Sequence, residues 1–71
     1  MIQLPNKWGR VLFDIPEKGM GYWIVDIHMS TGQILRNCRI VGDLITDVDG
    51  KEPTLNPIDI IDMKLSEKRK R

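Results

Sequence analysis

His28 and Cys38 are the only histidine and the only cysteine of the chain, and this limits the chemistry open to it. With a single imidazole, nucleophile–histidine–carboxylate triads and structural zinc sites lack their usual parts. Asp26 stands two residues before His28, so both fall on one face of any strand that carries them. Cys38 lies between Asn37 and Arg39, and Arg39 would favour its thiolate if both were exposed. Cysteine is among the most buried residue types, so a packed, inert thiol is the expectation. Asp43, Asp47, Asp49 and Glu52 form an acidic cluster. The run Asp47-Val48-Asp49-Gly50-Lys51-Glu52 is too short for the 12-residue calcium loop, and Lys51 opposes a cation. Gly19-Met20-Gly21 lacks the third glycine and the following helix of a phosphate-binding loop. The chain therefore reads as no enzyme, with no cofactor and no metal.

The size of the chain sets a second limit. Its 71 residues make one domain, near the lower bound for a core that holds without staples. With 41 % hydrophobic and 30 % charged residues, it has the make-up of a globular protein. A lone cysteine forms no intrachain disulfide, which fits a reducing, cytoplasmic setting. The N-terminal residues do not read as a signal peptide. Trp23-Ile24-Val25, with Tyr22 before it, is the longest apolar run, far short of the ~20 residues of a membrane-spanning helix. Charge is unevenly placed. Residues 1–66 carry seven Lys or Arg against nine Asp or Glu, while Lys68, Arg69, Lys70 and Arg71 follow as a basic tail. A domain over residues 1–66 and a flexible tail over 67–71 are expected.

The positioning elements are strands. Trp23, Val25, Ile27 and Met29 alternate with Tyr22, Ile24, Asp26 and His28, the period of a strand with one face buried. Ser30-Thr31-Gly32 and Gly42-Asp43 break the chain where tight hairpins need them. Gln33–Val41 and Leu44–Val48 complete an antiparallel meander. In the third strand, strict alternation would bury Arg36, which is costly without a partner. A bulge near Arg36-Asn37 would turn Leu35, Cys38 and Ile40 inward and both arginines outward. Trp8–Ile15 reads as a first strand, its alternation blurred by Val11, Leu12 and Phe13, joined through Pro16-Glu17-Lys18-Gly19 to the next. Pro53 and Pro57 keep Lys51–Pro57 out of any central strand, leaving an exposed sheet edge near Pro53. Asn56 caps one helical turn begun by Pro57. A last strand follows, with Ile61, Met63 and Leu65 inward.

The expected fold is all-β: a small five-stranded antiparallel barrel with one short helical turn before the last strand. Through Tyr22–Met29, the Thr31-Gly32 hairpin, Leu35–Val41 and the Asn56–Ile60 turn leading into Ile61–Leu65, the chain resembles the SH3-like and Sm-like small barrels. The resemblance covers about residues 8–65 and is that of a superfold hosting many functions. Barrels of this look recur among phage-encoded and mobile-element proteins. The base-holding motifs of Sm proteins and the proline-binding aromatic pairs of SH3 domains have no counterpart here.

Two functions remain. One is a non-catalytic protein–protein interaction or assembly module that binds a protein partner or itself, with Trp8 and Arg10 as an anchor pair and Arg36 and Arg39 as further contacts. On that reading, Trp8→Ala weakens binding and leaves the β circular-dichroism signal intact. The alternative is a nucleic-acid-binding barrel using Trp8, Arg10, Arg36, Arg39 and the tail Lys68, Arg69, Lys70 and Arg71. The net negative charge of residues 1–66 works against it.

Overall fold

The computed structural model describes residues 1–66. Five antiparallel strands, β1 (Ile2–Gln3), β2 (Tyr22–Met29), β3 (Ile34–Val41), β4 (Leu44–Val48) and β5 (Ile60–Leu65), form one sheet in the order β1-β4-β3-β2-β5. The sheet curls into an open half-barrel. A six-residue helix, α1 (Trp8–Phe13), and a 3-10 turn (Pro57–Asp59) complete the fold.

Trp8–Phe13 is therefore helix and not the expected strand. Trp8, Val11, Leu12 and Ile15 recur at i, i+3, i+4 and i+7, the spacing of one helix face, and all four belong to or pack against the core. The adjacent apolar residues that blur a two-residue period are what a helix stripe requires. Phe13 falls off that stripe and is 85 % exposed. Pro16 follows the helix, and the indole of Trp23 ties its end to the sheet by donating to the carbonyl of Ile15 at 2.8 Å. The residues expected to close a barrel thus cover its core. The fifth strand comes instead from Ile2-Gln3, which pairs with Ile45 and Leu44.

The expected edge near Pro53 is corrected by the same pairing. Strand β1 lies along β4, Pro53 is buried, and the sheet ends at β1 and β5. The two edges differ. Strand β1 has two residues, and Pro5 has no backbone N–H with which to extend it; β5 has six.

The meander follows its alternation. Val25, Ile27 and Met29 are buried, as are Cys38, Ile40 and Ile45 on the facing strands. The bulge in β3 is present: Val25 pairs with Cys38 and Ile27 with Leu35, so Asp26 alone faces Arg36 and Asn37. Asn37 takes φ of 55°, a left-handed conformation that asparagine accepts more readily than most residues. Cys38 and Ile40 then point inward and both arginines outward. The 3-10 turn is also as expected. Pro57 is its first residue, and Asn56 Oδ1 accepts the N–H of Ile58 at 3.1 Å.

In β5 the inward set differs from Ile61, Met63 and Leu65. Met29 pairs with Ile60 and His28 with Asp62, so Ile61 is an extra residue in the ladder. This second bulge changes the phase of the strand. Ile60 and Met63 enter the core, Ile61 is 62 % exposed, and Leu65, ending the outermost strand, is 41 % exposed.

Candidate functional site

The four residues singled out as a contact surface do not converge. Trp8 is 6 % exposed and lies in the core cluster, so it is no surface anchor. Its indole N–H is buried with no acceptor among the described residues, and the ammonium of Lys7 lies 5.5 Å from the ring centroid. Arg10 is exposed on the outer side of α1. Arg36 and Arg39 stand on the convex face of the sheet, each facing a carboxylate. Arg36 Nη1 lies 3.1 Å from Asp26 Oδ2, and Arg39 Nε lies 4.0 Å from Asp47 Oδ2. The guanidinium of Arg39 also lies 5.8 Å from the Tyr22 ring centroid. Lys68, Arg69, Lys70 and Arg71 lie outside the described residues.

The convex face is consequently a field of mixed charge. His28 pairs across the ladder with Asp62, and Asp26 with Lys64. Asp26 has a structural task here. Its Oδ1 accepts the bulged N–H of Asn37 at 3.2 Å while Oδ2 meets Arg36. The side chain of Asn37 in turn donates to Asp49 at 3.3 Å and accepts from the hydroxyl of Ser66 at 3.1 Å. Arg36 and Asp26 are thereby engaged in holding the bulge.

Among the described residues, no group of three or more His, Cys, Asp and Glu side chains is placed to hold a metal ion. No helix among them is long and apolar enough to cross a membrane. Cys38 is fully buried, and its Sγ–H donates to the carbonyl of Leu35 at 3.3 Å. Burial is the main cause that pushes its pKa from 9.0 up to about 12. A backbone hydrogen bond at Ile27 opposes the shift, and the charges of Asp26, Asp47 and Asp49 add to it. Because the folded state holds this proton more tightly than the unfolded chain, the thiol's contribution to stability is complete below about pH 9. It is lost as pH rises toward 12, with a slope of at most about 1.4 kcal/mol per pH unit. Chemical denaturation of wild type and Cys38→Ala across that window should show an alkaline loss in the wild type that the variant lacks. The native thiol should also resist alkylation at pH 8 until the protein is unfolded.

One groove and one apolar edge among the described residues bear most on function. A groove of about 390 Å³ opens at one end of the half-barrel, with Met29, Leu35, Val48 and Leu55 among its lining residues and Lys51, Glu52 and Asp59 at its polar parts. The other feature is the β5 edge. Ile58, just before β5, is 82 % exposed, and Ile61 and Leu65 follow along the strand. Three large exposed apolar side chains within and just before an edge strand are unusual, because native sheets blunt long edges with charge, proline or cover.

No protein-family model matches the chain, and neither a curated protein nor a solved structure matches it significantly. Function therefore has to be read from the geometry.

The β5 edge leaves no clear signal in the sequence. Ile61 and Leu65 share the parity of Met63 and look like core. Only the bulge, which depends on how β5 meets β2, turns Ile61 out. One hint lies in Ile60-Ile61: adjacent isoleucines on an edge strand cannot both face one core without a break in the alternation.

Proposed function

We propose that the protein is a non-catalytic interaction or assembly module that engages a protein partner through the β5 edge. The observation that carries this reading is the exposed set Ile58, Ile61 and Leu65 beside a six-residue strand that no other described strand flanks on its outer side. An added strand there would satisfy the outward backbone groups of β5 and bury the set, the physics of β-augmentation. The half-barrel, its tight hairpins and the 3-10 turn leading into the last strand support placing the domain with the SH3-like small barrels. A cytoplasmic setting accords with the reduced, buried Cys38.

Nucleic-acid binding receives less support. The indole of Trp8 has no free face for a base, and Arg36 and Arg39 each meet an aspartate, which lowers the net positive charge a phosphate would encounter. Fluorescence anisotropy with labelled single- and double-stranded nucleic acid tests the choice. The chain ending at Ser66 should show no binding near physiological salt. Binding that survives both this truncation and physiological salt would overturn the interaction reading in favour of a nucleic-acid module.

A further inference from the structure

We infer that the occupant of the β5 edge is a second copy of the same strand, paired antiparallel about a two-fold axis at Met63. This rests on the edge being the interaction surface, and it specifies the partner, symmetry and register.

The backbone argues first. In the antiparallel pairing of β2 with β5, the N–H of Ser66 donates to the carbonyl of Ile24 at 3.1 Å. Asp26–Lys64 and His28–Asp62 continue that register. Hydrogen bonding toward a given neighbour recurs every second residue. Asp62, Lys64 and Ser66 therefore turn their backbone groups to β2, and Met63 and Leu65 turn theirs outward. The N–H of Met63 is met instead by the carboxylate of Asp62, its own neighbour in sequence, at 2.8 Å. A partner strand's carbonyl replaces that local cap and releases Asp62 for another contact.

The side chains then choose the register. With Met63 opposite the partner's Met63, Asp62 stands opposite the partner's Lys64, and Lys64 opposite the partner's Asp62. Ile61 and Leu65, both exposed in the single chain, flank this paired stretch at its two ends. Moving the register by two residues either way sets Asp62 against Asp62 or Lys64 against Lys64. Like charges directly opposite are destabilising, and opposite charges and apolar pairs are stabilising. One register thus satisfies the outward backbone groups at Met63 and sets each Asp62 against the partner's Lys64. The pairing is isologous, so it closes at two copies. The β1 edge offers no equivalent, having two residues.

Sedimentation velocity over a concentration series of the full chain, with circular dichroism to confirm folding of each variant, tests the inference. Wild type should show a reversible monomer–dimer equilibrium. Asp62→Lys and Lys64→Asp should each weaken it about tenfold or more, since both charge pairs become repulsive. The double variant should regain dimerisation. An equimolar mixture of the two single variants should form a heterodimer that neither forms alone, because the paired lysines of the Asp62→Lys chain then face the paired aspartates of the Lys64→Asp chain. That rescue cannot come from a loss of folding. A monomer at all concentrations, or a dimer indifferent to these exchanges, would overturn the inference. Either result leaves the interaction reading to be judged by its own nucleic-acid titration.

Discussion

Trp8→Ala is expected to unfold the protein, or nearly so. Truncating a buried tryptophan typically costs about 3–5 kcal/mol, from lost transfer free energy and the cavity left behind. A domain of 71 residues has roughly 4–11 kcal/mol in total. Trp8 is one of three buried residues that the segment up to the end of α1 contributes to the core, with Leu4 and Leu12, and α1 has no side-chain cap at its start to hold it otherwise. A six-residue helix does not persist without tertiary packing, so loss of the indole should release α1 and expose the core it covers. Urea denaturation followed by far-ultraviolet circular dichroism gives the readout. An unchanged midpoint would show that the indole is not in the core. Trp8→Phe should cost far less, because it keeps most of the apolar ring. It also removes an N–H whose burial without an acceptor costs about 1–3 kcal/mol.

Asn37→Ala should be the most damaging single change in the sheet's polar framework, at about 2–5 kcal/mol from two sources. Holding an L-residue other than asparagine or aspartate at a left-handed φ costs roughly 1–2 kcal/mol. The side-chain bonds to Asp49 and Ser66 contribute about 0.5–1.5 kcal/mol each. Asn37→Gly separates the two contributions: it relieves the φ of 55° but still loses both bonds, so urea denaturation should show it recovering about half the loss. Equal destabilisation by alanine and glycine would mean that the backbone conformation contributes nothing. The consequence reaches the candidate surface. The bulge fixes which residues of β3 face inward, and Ser66, bonded to Asn37, ends the chain segment that carries the β5 edge. A weakened bulge should therefore loosen the end of β5 near Leu65.

The places where sequence and structure part share one cause. The meander of β2, β3 and β4 is legible because its alternation is local, and each hairpin break carries its own turn residues. The β3 bulge is legible because strict alternation would bury Arg36. The cap at Asn56 is legible because asparagine before proline satisfies a helix start within a few residues. Trp8–Phe13 misleads because Val11, Leu12 and Phe13 fit a ragged strand and a short helix alike. Six residues leave little room for a periodicity to declare itself, and the choice falls to packing. Ile61 misleads because its exposure depends on a ladder irregularity with His28 and Met29, which lie far away in the sequence.

The sequence alone thus determined the antiparallel core, its inward side chains from Val25 to Ile40, the buried cysteine and the turn before the last strand. Those features follow from backbone preference and burial within a few residues of each other. Tertiary structure decided that α1 covers the core where a strand would have closed a barrel. It also decided that Arg36 and Arg39 meet aspartates and that Ile61 and Leu65 lie on an edge strand of the described sheet. Each of these depends on which distant segments meet and in what register, and a shift of one residue in a ladder exchanges the inside of a sheet for its outside.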